Sequence, residues 1–111
     1  MTDKIVVLST CASEEEAERI ARALVEARLA ACVNVTARVR SVYRWQGAVE
    51  TADEWMLVIK SSRDRFEALR AVLEKAHSYE VPEVIALPVV DGAKNYLNWL
   101  DASLAREPAS E

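Results

Sequence analysis

Between Ala31 and Trp45 the side chains alternate in character for longer than a small domain can shelter. Val33, Val35, Ala37, Val39, Tyr43 and Trp45 fall on one side of an extended chain, and Asn34, Thr36, Arg38, Arg40 and Arg44 on the other. That is the period of a strand with one buried face. Gln46-Gly47 reads as a turn, and Val49 to Lys60 returns as a second strand that ends in the apolar run Trp55-Met56-Leu57-Val58-Ile59. Fully extended, the first arm would measure about 50 Å. A compact domain of 111 residues has a radius of gyration near 13 Å, hence a diameter of about 35 Å. A straight hairpin of that reach overhangs its own domain and leaves its Val, Tyr and Trp side chains wet and its edges unpaired. Either the strands break or bend partway, or an identical chain covers them, and both can hold together. The expectation is a homo-oligomer held partly through the 31–60 hairpin.

Around this hairpin the remaining elements fall into order. Ile5 to Thr10 is a short apolar strand, central in a sheet because both of its faces are apolar. Ser13-Glu14-Glu15-Glu16 is a capping box whose three carboxylates suit the start of a helix. Ala17, Ile20, Ala21, Leu24 and Val25 then give one apolar helix face, ending near Arg28 or Leu29, with Glu15/Arg19 and Glu18/Arg22 as ion pairs on the wet side. Asp64, with Glu67 three residues on, is expected to cap a second helix whose apolar face is Phe66, Leu69, Val72, Leu73 and Ala76 and whose end Pro82 forces. Val84 to Val90 is a last strand, placed at an edge by Pro88. After the Asp91-Gly92 turn a third helix runs to about Ala105. Strand, helix, strand, strand, helix, strand, helix is the split βαβ pattern of α+β ferredoxin-like folds: βαββαβ plus a C-terminal helix, with an antiparallel sheet. One domain over 1–106 and a frayed tail over 107–111 are expected.

Several function classes are disfavoured. With 14 Lys+Arg against 18 Asp+Glu the formal charge is −4, too acidic for a general nucleic-acid binder. No apolar run approaches the ~18 residues of a membrane span, and Ile5-Val6-Val7-Leu8 is short for a signal-peptide core. A cytoplasmic location is therefore the default, with Cys11 and Cys32 reduced. Finger-type Cys/His spacing, a P-loop, GxGxxG and GxSxG are all lacking.

The element order gathers candidate ligands at one end. The finish of the first strand (Ser9, Thr10, Cys11), the finish of the second helix (His77), the hairpin turn and the start of the last strand (Glu80, Glu83) share it. Cys32 lies at the opposite end, about 24 Å away along the first helix, too far for a disulfide with Cys11. His77, Cys11, Glu80 and Glu83 carry the atoms that a Cu(II) or Zn(II) site needs. Alternatively His77 is a helix C-cap whose charge suits the dipole, and Cys11 a small residue near a subunit boundary. Cys32 reads as a small buried hydrophobe. Arg38, Arg40 and Arg44, interleaved with Tyr43 and Trp45, suggest either a grip on single-stranded nucleic acid or, better in an acidic chain, a polar face paired with Glu50, Asp53 and Glu54. Tyr43, Trp45 and Trp99 suit an interface or a stacked ligand. Glu80 and Glu83 read as ion-pairing groups near a subunit boundary sooner than as paired acids.

Leu29-Ala30-Ala31-Cys32-Val33-Asn34, Ser41-Val42-Tyr43-Arg44-Trp45-Gln46-Gly47, His77-Ser78-Tyr79-Glu80-Val81-Pro82-Glu83 and Tyr96-Leu97-Asn98-Trp99 together resemble the CutA family of divalent-cation tolerance proteins, over essentially Ile5 to Leu104. The resemblance implies a ferredoxin-like fold in a tight homotrimer built through the long hairpins. It also implies a link to copper and other divalent metals, and no established enzyme reaction. The copper ligands proposed in bacterial members match Ser9, Ala76 and His77 here, of which only His77 is a strong ligand; Cys11, two residues after Ser9, is a possible substitute. Ser78 stands where the family usually has Pro, and Thr36-Ala37-Arg38 where it often has Pro-Gly.

Three functional readings follow. The first is a non-enzymatic homotrimer in divalent-cation tolerance, binding Cu2+ weakly through His77 and nearby carboxylate or sulfur atoms. The second is a trimeric sensor like the PII signalling proteins, taking a small anion or nucleotide between subunits near Lys60, Arg63 or Arg65; it rests on analogy of fold and assembly. An acylphosphatase-like hydrolase is the least favoured, because the first loop is acidic (Glu14 to Glu16).

Overall fold

The computed structural model describes residues 1–105; the tail expected at 107–111 lies outside them. Strand β1 (Lys4–Cys11), helix α1 (Glu14–Glu26), strands β2 (Cys32–Val35), β3 (Val39–Trp45) and β4 (Ala48–Ser62), helix α2 (Phe66–Ala76), strand β5 (Ile85–Pro88) and helix α3 (Lys94–Leu104) follow in that order. The main sheet is antiparallel with order β2-β4-β1-β5, and β3 continues along the first half of β4. With β2 and β3 counted as one interrupted strand, this is the expected α+β ferredoxin-like arrangement. Val7, Cys11, Leu57 and Ile59 project from one sheet face into a core closed by Ala17, Ile20 and Leu24 of α1 and Leu69 and Leu73 of α2. A smaller cluster joins Ala31 to Leu100 and Leu104 of α3. Beside it Lys4, on the other face from Ile5, is buried between Asp3 and Asp101.

The expected break in the long arm is real, and its form corrects the side-chain facing. Val35 stands opposite Leu57, and Val39 opposite Glu54. Four steps of one strand thus match three of the other, which is a β-bulge at Thr36–Arg38. The Thr36 side chain bridges it: Oγ1 accepts from the Met56 amide at 3.1 Å, while the Thr36 amide donates to the Met56 carbonyl at 3.0 Å. Direct cross-strand partners share a face, so Val33 and Val35 join the core side with Ile59 and Leu57. Val39, Tyr43 and Trp45 turn to the opposite side with Glu54, Glu50 and Ala48. The six apolar residues do not form one face.

Beyond the bulge the arm projects as argued. The molecule measures 52 × 31 × 23 Å with a radius of gyration of 15.1 Å, against about 13 Å for a compact chain of this length. Val42 and Val49 are each 66% exposed on the arm, and Tyr43 and Trp45 about two-fifths exposed. At its tip Gln46 and Gly47 both have positive φ, 50° and 83°. This is the two-residue turn that matches strand twist, and it favours glycine at the second position.

Other expectations shift locally. Ser13 caps α1, its Oγ accepting from the Glu16 amide at 3.1 Å, and α1 stops at Glu26, two or three residues early. Arg19 lies 3.9 Å from Glu16 and not against Glu15, whereas Arg22 pairs with Glu18 at 3.4 Å. Asp64 does not cap α2. It sits in a 3-10 turn, Arg63–Arg65, where it accepts from the Ser62 hydroxyl, and α2 begins after Arg65 without a side-chain cap. Pro82 does not end α2 either, because the helix stops at Ala76 and His77 already has extended angles. Among the described residues β5 is an edge strand paired with β1 alone, and Pro88 sits opposite Ile5.

Candidate metal centre

Three elements meet where β1 ends. Cys11 is the last residue of β1, Glu16 lies in the first turn of α1, and His77 is the C-cap of α2. The Cys11 Sγ, a Glu16 carboxylate oxygen and a ring nitrogen of His77 all lie within 4.8 Å of one another, and all three residues are buried. Sγ is 3.8 Å from the His77 Nε2. Cys11 and His77 thus meet at the end of the fold to which the element order assigns both. Glu16 was legible only as a capping residue, and its second contact needed the fold.

Each donor already has an occupant. The His77 Nδ1 accepts from the Tyr79 amide at 3.0 Å, and Nε2 lies 2.7 Å from the Thr10 carbonyl. A carbonyl only accepts, so the ring proton is on Nε2. The Glu16 Oε2 accepts from the Ser78 amide at 2.7 Å, and Oε1 from the Ala12 amide at 3.4 Å. Burial pulls the Glu16 carboxyl upward, but the hydrogen bonds from Ser78 and the Ala12 amide outweigh it and hold it below the usual glutamate value. Burial, helped by the negative charges of Glu16 and Glu54, pushes the Cys11 thiol up to about 12. Tyr79 extends the network: its ring lies 4.7 Å from that of His77, and its hydroxyl donates to Glu54 at 2.6 Å. Burial first, then Glu54, raises the phenol well above its ordinary range.

The other candidate ligands stay outside this cluster. Glu80 is exposed and Glu83 half-exposed, and neither belongs to it. Ser9 is buried on the Cys11 side of β1, and its Oγ has no hydrogen-bond partner among the described residues. Ala76 contributes only a carbonyl, which accepts from Arg19 at 3.4 Å. Cys32, expected to be buried, is half-exposed on edge strand β2, 4.0 Å from Asn34. Its β4 partner is Lys60 while that of Cys11 is Trp55, and both thiols are free. Arg38 and Arg40 pair with Asp53 at 3.5 and 3.8 Å, the cross-strand partner expected for them. Lys60 is held by Asn34 and Arg65 by the Leu104 carbonyl, so two of the three cations suggested for an anion cleft are engaged within the chain.

The model of the family described as CutA1 divalent ion tolerance protein matches residues 5–103. The chain belongs to the CutA1 family. It is 48% identical over 95 residues to a divalent-cation tolerance protein CutA of Thermus thermophilus, covering 86% of this chain and 92% of that one. It is 41% identical over 104 residues to a protein of the same description from Pectobacterium atrosepticum, covering 94% of each. Among solved structures, a CutA from Xylella fastidiosa superposes with a TM-score of 0.91 at 39% identity, covering 94% of this chain and all (100%) of that one. The Thermus thermophilus CutA1 structure gives 0.86 at 47% identity, covering 87% and 94%.

Thiol, imidazole and carboxylate are the donors that a borderline ion such as Cu(II) or Zn(II) selects. The buried triad therefore suits a divalent ion by chemistry. It does so at the cost of existing bonds: the thiol must give up its proton, and His77 must release the Tyr79 amide that its Nδ1 now accepts from.

Proposed function

We propose that this chain is a non-enzymatic homotrimeric protein of divalent-cation tolerance, active in the response to metal ions and binding copper(II) or a similar ion weakly at the Cys11–Glu16–His77 corner. Family membership carries the link to divalent cations. The single structural observation that carries the ion reading is the convergence of three buried donors of the right type within 4.8 Å. Weak binding follows from their prior commitments. A thiol held near 12 has to lose its proton before it can ligate, which weakens binding further. Free cysteines suit a reducing cytoplasm.

Assembly follows from the arm. Among the described residues β3 pairs on one side only, with β4, and β5 on one side only, with β1. An arm on one chain and a receiving edge elsewhere on the same chain make a head-to-tail contact, the kind that builds a ring when its rotation closes. Three subunits is the number that the family resemblance implies. Ile85 and Leu87, on β5 itself, are half-exposed, which offers Tyr43 and Trp45 of a neighbour an apolar seat.

Calorimetric titration of the metal-free protein with Cu(II) tests the ion reading. His77→Ala should weaken binding more than about 100-fold, beyond the range typical of outer-shell partners, while circular dichroism stays native. An isotherm identical to that of the unaltered chain removes His77 from the site.

A further inference from the structure

The bonds around His77 set a condition on any ion that binds there. A neutral imidazole that ligates carries its one proton on the other nitrogen. If Nδ1 is the ligand, its lone pair is no longer available to the Tyr79 amide. If Nε2 is the ligand, the proton moves to Nδ1 and points at the Tyr79 N–H, donor against donor. By either route the 3.0 Å bond from the Tyr79 amide to Nδ1 has to break. The amide belongs to the residue whose hydroxyl holds the buried Glu54 at 2.6 Å. Glu54 in turn lies on β4 opposite Val39, the first residue of the arm beyond the bulge. A backbone shift at Tyr79 therefore loads a hydrogen bond at the root of the arm.

We infer that Tyr79 is a gate that couples ion occupancy at His77 to the root of the β3–β4 arm, so that ion capture and the Tyr79–Glu54 bond oppose each other. This rests on the ion reading given above. Coupling of this kind is reciprocal: whatever weakens the Tyr79–Glu54 bond in advance lowers the cost of opening and strengthens ion binding. Tyr79 touches no ion in this account. It positions His77 through its amide and reports to the arm through its hydroxyl.

Two measurements with Cu(II) as the probe decide it. Tyr79→Phe keeps the ring and the amide but deletes the hydroxyl, and should bind Cu(II) about tenfold more tightly, the size expected for one hydrogen bond to a carboxylate. Glu54→Gln, which keeps an acceptor of the same shape without the charge, should shift affinity in the same direction by less. In the unaltered protein, deuterium uptake at the Tyr79 amide should rise when Cu(II) saturates the site. A Tyr79→Phe isotherm that coincides with that of the unaltered chain, or a Tyr79 amide that stays protected with Cu(II) bound, overturns the gate and leaves the ion site standing. Cu(II) binding that survives His77→Ala overturns the site itself, and the gate with it.

Discussion

Replacing Tyr43 and Trp45 together with aspartate leaves a folded monomer. Both side chains lie on the arm beyond the bulge, 42% and 41% exposed within one chain, and neither belongs to the buried core. Their loss therefore costs the isolated fold little. In an assembly they are the largest apolar groups the arm has to bury. An aromatic side chain offers about 150–250 Å², so covering half of it contributes roughly 2–3 kcal/mol at 25 cal/mol per Å². Two such losses, with the added penalty of burying two carboxylates, exceed what most oligomeric contacts can absorb. The measurement is size-exclusion chromatography with light scattering beside far-ultraviolet circular dichroism. A native spectrum at one-third of the parent mass is expected. An unchanged mass would place the subunit contact elsewhere.

Truncating Leu57 acts on the opposite part of the molecule. Leu57 is fully buried and stands at the junction where β4 pairs with Ser9 of β1 on one side and Val35 of β2 on the other. Its side chain enters the core shared with α1 and α2. Strands on both sides hold its backbone in place, so the site collapses poorly once the side chain is gone. Leu57→Ala should cost about 2–5 kcal/mol, which lowers the urea midpoint by roughly 1–3 M for a small domain. Equilibrium unfolding at one matched protein concentration checks this, because dissociation and unfolding are linked. A loss under about 1 kcal/mol would mean that the sheet centre repacks freely.

These two substitutions mark what was and was not legible before the fold was known. The Ser13 cap, the apolar face of α2, the edge position of Pro88 and the overhang of the hairpin all follow from local chemistry or from chain length, and each stands in the structure; the apolar face of α1 stands except for Val25, which is 41% exposed near the helix end. The facing of the arm did not. An inserted residue at Thr36–Arg38 leaves the alternation of apolar and polar letters undisturbed while turning Val39, Tyr43 and Trp45 to the other side from Val33 and Val35. Neither Gly nor Pro marks the bulge, since the Thr36 hydroxyl takes over its ladder bond. Asp64 misled for a related reason: Asp-x-x-Glu fits a capping box, but a 3-10 turn intervenes and the carboxylate serves Ser62. At the metal centre, topology placed His77 and Cys11 at one end. It could not show that Glu16 reaches across to Ser78, 62 residues on, nor that Tyr79 closes the His77 ring from the other side.

The proposed homotrimer rests on the arms, whose apolar side chains one subunit leaves exposed. Sedimentation equilibrium of the unaltered protein at low micromolar concentration tests this directly. A single species of three times 12.4 kDa is the expected result, and a stable species of 12.4 kDa would contradict it.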